Sequence, residues 1–136
     1  MGDRNMSELT KEIWIDAPPE QVYPYIVQPE LATKWMGDES WNDPRPGGVF
    51  RLNIHGHVTS GEFVELDPPR RVVYTWGWEG DGQIHPPGST TVEFDLEPEN
   101  GGTRVRLRHS GLTDAGVEMH GEGWEQFLPE LAKAAA

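Results

Sequence analysis

Apolar and polar residues alternate in six segments of the chain, and this period of two predicts β-strands. The first segment, residues 9–16 (LTKEIWID), places Leu9, Ile13 and Ile15 on one face. Five more follow one after another at residues 49–54, 57–66, 71–78, 89–98 and 103–110. Because turn-rich segments such as DPPR and ENGG separate neighbouring strands, we predict an antiparallel sheet.

Two short helices are predicted between the first and second strands. Pro18 and Pro29 each suit a first helical turn, where the missing N–H costs nothing. Pro24 should limit the first helix to a turn or two, or kink it. The second helix is predicted over residues 28–36, and Gly37 should end it.

The C-terminal segment predicts one long amphipathic helix. At 100° per residue, one arc collects its apolar residues and the opposite arc its charged ones. The apolar arc holds Gly116, Val117, His120, Gly121, Gly123, Trp124, Phe127, Leu128 and Leu131. Gly121 and Gly123 flank this stripe, so we predict that the helix backbone approaches either the sheet or a ligand on both sides of Trp124. The fold class is therefore α+β, with six antiparallel strands covered by this helix.

Composition narrows the functional classes. We expect residues 1–136 to form one domain with an ordered core over about residues 8–132. The chain has no cysteine, which excludes disulfides and thiolate chemistry. A net charge of -12 argues against nucleic acid and anionic membranes as partners. The polar N-terminus has no apolar signal region, so the expected location is cytoplasmic.

The order of several short motifs resembles a known superfamily. The motifs are IDAPPEQVY, PELATKWM, PGGVFRL, GEFVELDPPRRVVYTW, GGTRVRLRHSGL and HGEGWEQFLPEL, which together span residues 9–131. They resemble the START-like (SRPBCC) superfamily, which includes polyketide cyclases and the birch-pollen allergen. The resemblance is closer to the family related to the C-terminal domain of the heat-shock-protein-90 ATPase activator.

This resemblance implies a helix-grip fold, in which a curved sheet wraps around a long helix. It also implies a cavity between sheet and helix that accepts small apolar or amphipathic molecules. No catalytic set is common to the superfamily, and homodimers are compatible with it. The chain lacks the N-terminal domain of the chaperone activator, so co-chaperone activity is not implied.

Histidines are the candidate polar groups. His55 and His57 lie on one strand face with a spacing that can hold a metal, but no third ligand accompanies them. His109 ends the last strand on its inward face, and His120 begins the helix on its inward stripe. Both can supply a hydrogen bond or a proton to a cavity, or each can simply bond a backbone carbonyl. We predict no metal site, no cofactor and no catalytic residue.

Large inward side chains are the candidate walls of the cavity. Such residues either fill a core or line an open pocket, and the sequence leaves both readings open. The predicted ligand-binding residues are Trp35, Phe50, Leu52, Tyr74, Trp76, Trp78, His109, His120, Trp124 and Phe127. Trp14 is predicted on the outer face of the sheet, where it can mark a subunit contact.

The leading hypothesis is therefore the binding of a small hydrophobic, aromatic or amphipathic molecule. The first alternative is a cyclase-like or hydrolase-like enzyme that acts on a hydrophobic substrate through His109 and His120. The second alternative is a regulatory protein-interaction module, suggested by the acidic charge and Trp14.

Overall fold

A computed structural model describes residues 6–136 of the chain, so the first five residues of the polar N-terminus lie outside it. One antiparallel sheet and one long helix dominate the fold. The elements are β1 (Ser7–Ile15), α1 (Pro19–Val27), α2 (Pro29–Ala32), β2 (Glu39–Ser40), β3 (Val49–Ile54), β4 (His57–Asp67), β5 (Arg71–Trp76), β6 (Thr90–Glu99), β7 (Gly102–Leu112) and α3 (Asp114–Ala135). The predicted α+β fold is confirmed.

The sheet has seven strands in the order β1-β7-β6-β5-β4-β3-β2. Six of them are the predicted strands, and the seventh, β2, has only two residues and pairs with β3. Strands β3 to β7 follow one another as antiparallel neighbours, while β1, the first strand of the chain, pairs with β7, the last. The sheet is curved, and its concave face carries the alternating apolar residues.

Helix α1 continues through Pro24 and has nine residues, which is about two and a half turns. Pro24 removes one backbone hydrogen bond, but Val22, Tyr23, Ile26 and Val27 are all buried on this helix. The burial of these side chains offsets the lost bond. Helix α2 is a single turn of four residues, shorter than predicted, and turns follow it up to the positive-φ Gly37.

Helix α3 is amphipathic, as its sequence predicts. Thr113 is its N-cap, and the Thr113 hydroxyl accepts a hydrogen bond from the Gly116 N–H at 3.0 Å. The buried stripe recurs every three or four residues and consists of Gly116, His120, Trp124, Leu128, Leu131 and Ala135. This stripe lies against the concave face of the sheet.

The outer face of the sheet is charged. The arginines of β7 contact acidic residues of β6, as expected from cross-strand pairing: Arg104 bonds Glu99 at 2.6 Å and Arg106 bonds Glu97. Arg108 also reaches Glu8 of β1 at 3.0 Å. The outer face therefore carries a row of ion pairs between neighbouring strands, and the candidate site lies on the concave face.

Candidate ligand-binding pocket

A small apolar pocket lies between α3 and the sheet, where β3 and β5 end. Its volume is about 140 Å³. The sheet side supplies Ile54 and Trp76, the last residues of β3 and β5, together with Trp78 just beyond β5. The helix side supplies Met119, His120, Gly123, Trp124 and Phe127. Five of the ten predicted ligand-binding residues therefore line one cavity.

A larger groove of about 630 Å³ adjoins the pocket. Ile54, Trp78 and Met119 line both spaces, so the two share a boundary. The groove also carries polar groups, among them Glu79 and Gln83. The Glu79 carboxylate receives two bonds from the Arg51 guanidinium, at 2.8 and 3.1 Å, and these bonds lower the pKa of Glu79. The groove thus carries polar groups on a mainly apolar lining, and its carboxylate is already paired.

His120 forms the polar part of the pocket wall, and its ring nitrogens are fully used. Trp78 Nε1 donates to His120 Nε2 at 3.0 Å, and Trp76 Nε1 donates to the same atom at 3.3 Å. An indole nitrogen can only donate, so His120 Nε2 must be the unprotonated acceptor. His120 Nδ1 therefore carries the proton and donates it to the Gly116 carbonyl at 2.8 Å.

His109 lies behind the pocket and is fully buried. Its Nδ1 accepts a hydrogen bond from Trp124 Nε1 at 3.1 Å. Its Nε2 lies 2.9 Å from the Thr90 hydroxyl, which itself donates to the Trp76 carbonyl at 2.7 Å. Because the hydroxyl proton is used there, His109 Nε2 donates to Thr90. The two histidines therefore hold opposite tautomers, each fixed by its neighbours.

Three histidine rings stand in a row beside the pocket. The ring centroids of His109 and His120 are 4.9 Å apart, and those of His120 and His85 are 5.9 Å apart. Burial lowers the pKa of His109 to about 3, and the nearby His120 and His85 rings add to the shift. Burial also lowers the pKa of His120 and of His85. All three rings are therefore neutral near neutral pH.

Comparison with known proteins assigns the family. A family model described as "Activator of Hsp90 ATPase homolog 1-like protein" matches residues 16–136. The chain belongs to this family. The START-like helix-grip fold implied by its motifs is thereby confirmed.

Curated proteins with similar sequences support this assignment. Human "Activator of 90 kDa heat shock protein ATPase homolog 1" is 25% identical over 123 residues, which are 90% of this chain and 35% of the human protein. The chain spans between 21% and 35% of the length of the curated relatives that it matches.

Two solved structures illustrate the likeness. An AHSA1-like protein from Rhizobium etli is 37% identical with a TM-score of 0.75, and the match covers 97% of this chain and 84% of that one. The Aha1 dimer from Colwellia psychrerythraea is 24% identical with a TM-score of 0.79, over 95% of this chain and 96% of that one. The second structure supports the fold, and that protein is a dimer.

The other five predicted residues do not line the pocket of this family member. Trp35, Phe50, Leu52 and Tyr74 are buried in the core, where the Phe50 and Tyr74 rings stack with centroids 3.8 Å apart. His109 supports Trp124 from behind. The large inward side chains therefore do two things. Those along most of the sheet fill the core, and those at one end of it line the pocket.

Sequence reasoning missed three residues of this region. Ile54 alternates with Phe50 and Leu52 along β3, which indicates an inward side chain, but it is not among the predicted site residues. Met119 lies just before His120, off the buried stripe, and is 51% exposed. His85 comes from the long connection between β5 and β6, where no periodic pattern indicates which side chains turn inward.

The predicted close approach to the sheet is wrong at both Gly121 and Gly123, whereas an approach to a ligand stays a prediction. A Cβ atom at either position would meet no heavy atom within 4 Å outside its own helix turn. The close approach occurs instead at Gly116, whose added Cβ would lie 2.5 Å from His85 Nε2. Gly123 lines the pocket, so the missing side chain leaves space for the cavity and not for the sheet.

The remaining sequence expectations concern metal, membrane and Trp14. Over residues 6–136, no group of three or more His, Cys, Asp or Glu side chains is arranged so that it could hold a metal ion. In that same part of the chain, no helix is long and apolar enough to cross a membrane. The Trp14 indole donates to the Glu99 carbonyl at 2.8 Å and is 37% exposed on the outer side of edge strand β1.

Proposed function

We propose that this protein binds a small hydrophobic or amphipathic molecule between α3 and the sheet. The observation that carries the proposal is the apolar pocket between α3 and the sheet, which adjoins a larger groove with polar groups on its wall. Trp76, Trp78, His120, Trp124 and Phe127 would contact the ligand. Trp35, Phe50, Leu52, Tyr74 and His109 would hold that wall in place.

Size supports a ligand that occupies both spaces. Pockets for small molecules usually measure about 300–1,000 Å³. The inner pocket of about 140 Å³ is too small for a whole ligand of this kind, but the adjoining groove of about 630 Å³ supplies the difference. The apolar part of the ligand would enter the pocket, and its polar part would remain in the groove.

The enzyme alternative gains no support from His109 and His120. A general base must reach the proton that it removes, and it needs a free lone pair to accept that proton. The only lone pair of His120 already receives two indole N–H groups, and His109 is buried between Thr90 and Trp124. Binding therefore explains the site better than acid–base catalysis.

The test uses two glycines that differ in one respect. Gly121 and Gly123 are both half-buried on α3, and neither has a neighbour near an added Cβ. Only Gly123 lines the pocket. We expect Gly123→Leu to fill the pocket, and Gly121→Leu to leave it open.

Native mass spectrometry would compare the wild type and both variants after purification from the native host. We expect a small-molecule adduct on the wild type and on Gly121→Leu, and its loss from Gly123→Leu. Circular dichroism would verify that both variants are folded. A wild type that carries no adduct, or an adduct that remains on both variants, would contradict the proposal.

Two further points belong to this proposal. Self-association into a homodimer is supported by the dimeric relative from Colwellia and by the exposed edge of Trp14. Sedimentation of the wild type and of Trp14→Glu would test it, since a Trp14 contact predicts a dimer that the variant weakens. A cytoplasmic location is also proposed, and fractionation of the native host would test it.

A further inference from the structure

The inner pocket has an unusual wall, because it contains several polar atoms and all of them are already bonded. The indole nitrogens of Trp76 and Trp78 both donate to His120 Nε2, and that of Trp124 donates to His109 Nδ1. His120 Nδ1 donates to the Gly116 carbonyl. An indole has one N–H, and a neutral imidazole has one donor and one acceptor. The pocket therefore offers a ligand neither a free donor nor a free acceptor among these groups.

On the basis of the proposed function, we infer that this pocket accepts an unsubstituted hydrocarbon group and rejects the same group when it carries a hydroxyl. The ligand would be an amphipathic molecule with one plain ring or short alkyl end. A hydroxyl placed in the pocket would lose its bonds to water and find no partner. Leaving a polar group buried and unpaired is costly, and the loss corresponds to roughly tenfold or more in affinity.

The size of the pocket limits the hydrocarbon group to about one six-membered ring. A dry, apolar cavity of about 150 Å³ in another protein accommodates benzene. The pocket here, at about 140 Å³, is close to that volume, and the aromatic residues Trp76, Trp124 and Phe127 line it. A fused bicyclic group would exceed this space.

The polar end of the ligand would lie in the groove beyond Ile54, Trp78 and Met119. The groove offers the Gln83 amide and the Glu79 carboxylate as hydrogen-bonding partners. Because Arg51 already neutralises Glu79, a neutral hydroxyl or amide suits this end of the ligand. The two spaces together thus select a neutral amphipath with its hydrocarbon end inward.

A matched pair of probes tests the inference. The probes are 4-phenylbutan-1-ol and 4-(4-hydroxyphenyl)butan-1-ol, which differ by one ring hydroxyl. Binding would be followed by NMR through the indole N–H signals of Trp76, Trp78 and Trp124. We expect saturable shifts of these signals, with the hydroxylated probe at least about tenfold weaker, or about 1.4 kcal/mol.

The outcomes separate the two proposals. Equal or tighter binding of the hydroxylated probe would overturn the inference and leave the proposed function standing. If neither probe shifts the indole N–H signals of the pocket, the inference is overturned, and the result counts against the proposed function as well.

A variant tests the cause of the discrimination. Trp78→Phe keeps an aromatic wall but removes the nearer donor to His120 Nε2, leaving Trp76 at 3.3 Å. The Nε2 lone pair then receives only the longer bond from Trp76, so it can also accept a ligand hydroxyl, and the affinity ratio should fall to about threefold or less. Trp41→Phe is the control, since Trp41 is exposed and lies beside Arg51, away from the pocket. A ratio unchanged in Trp78→Phe, or lowered equally in the control, would overturn the inference.

Discussion

Mild acid should destabilise this protein through its buried histidines. His109 is fully buried, and its hydrogen bonds to Trp124 and Thr90 fix it in the neutral form. Burial lowers its pKa to about 3, whereas a histidine in an unfolded chain has a pKa of about 6.5. Between these values the unfolded state binds a proton that the folded state cannot bind. The contribution of His109 to stability is therefore complete above about pH 6.5 and is lost as the pH falls towards 3.

The magnitude follows from linkage. Between about pH 7.5 and about pH 5, the difference in proton binding at His109 alone lowers the free energy of unfolding by about 2 kcal/mol. The result depends mainly on the pKa in the unfolded chain, because any folded-state pKa below about 4.5 gives nearly the same loss. His120 and His85 also have lowered pKa values, so they act in the same direction.

Urea denaturation at the two pH values measures this loss directly. A salt concentration of about 0.2 M would screen the change in overall charge repulsion. His57→Gln is the control, because His57 is exposed and its removal should leave the loss unchanged. An unfolding free energy that is unchanged or higher at the lower pH would refute the reasoning. So would an NMR titration in which the His109 ring of the folded protein gains its proton near pH 6.5.

Four substitutions test the packing around the pocket. Gly121→Ala and Gly123→Ala should each raise the free energy of unfolding by up to about 1 kcal/mol, since alanine favours helix and both sites have room. A loss of stability in either variant would contradict this expectation and would support a close approach of the helix backbone to the sheet at that glycine. Gly116→Ala should lower the free energy by about 1–3 kcal/mol, because its Cβ would lie 2.5 Å from His85 Nε2. Unchanged thermal stability would show that the His85 loop moves aside freely. Among the described residues, the fully buried Tyr74 hydroxyl makes no hydrogen bond, so Tyr74→Phe should leave stability unchanged or raise it by about 1 kcal/mol. A clear loss of stability would reveal a partner for that hydroxyl.

The strand pattern of the fold was predictable from sequence, because each strand buries one face. Alternation in β3, β5, β6 and β7 placed Phe50, Tyr74, Phe94 and Leu107 inward, and all four are buried. The two-residue β2 has no such pattern, because two residues cannot show a period. Local propensity marks Pro24 as a point where helix α1 ends or kinks, whereas the burial of its neighbours, which lets the helix continue, is a tertiary effect.

The candidate site was predictable only in part. Alternation identifies the face to which Trp76 and Tyr74 belong, but it does not say which of them meets empty space. Both lie inward on β5, yet Tyr74 is packed between Phe50 and Phe94, while Trp76 ends the strand beside the pocket. The difference depends on the position along the strand relative to α3.

The glycines of α3 show the same limit. A glycine at a helix position is consistent with a close approach, and equally with space left for a ligand. The sequence HGEGWEQF does not distinguish these two causes. The distance to the nearest heavy atom distinguishes them, since Gly116 meets the His85 ring and Gly123 meets open space. The sequence does not indicate the close contact at Gly116, because its partner, His85, comes from a loop 31 positions away.

The hydrogen-bond network assigns the two inward histidines, His109 and His120, a different role from the one their positions in the sequence suggest. Inward histidines beside a cavity suggest proton transfer, and sequence alone makes His109 and His120 candidates for it. Here each histidine accepts bonds from tryptophans that form the pocket wall, so the rings serve to satisfy indole N–H groups. This pairing allows three tryptophans to line an apolar space without an unpaired N–H. Replacing either histidine by an apolar residue would leave those donors without a partner, and the proposed selectivity for hydrocarbon would then be lost because polar groups could bond them.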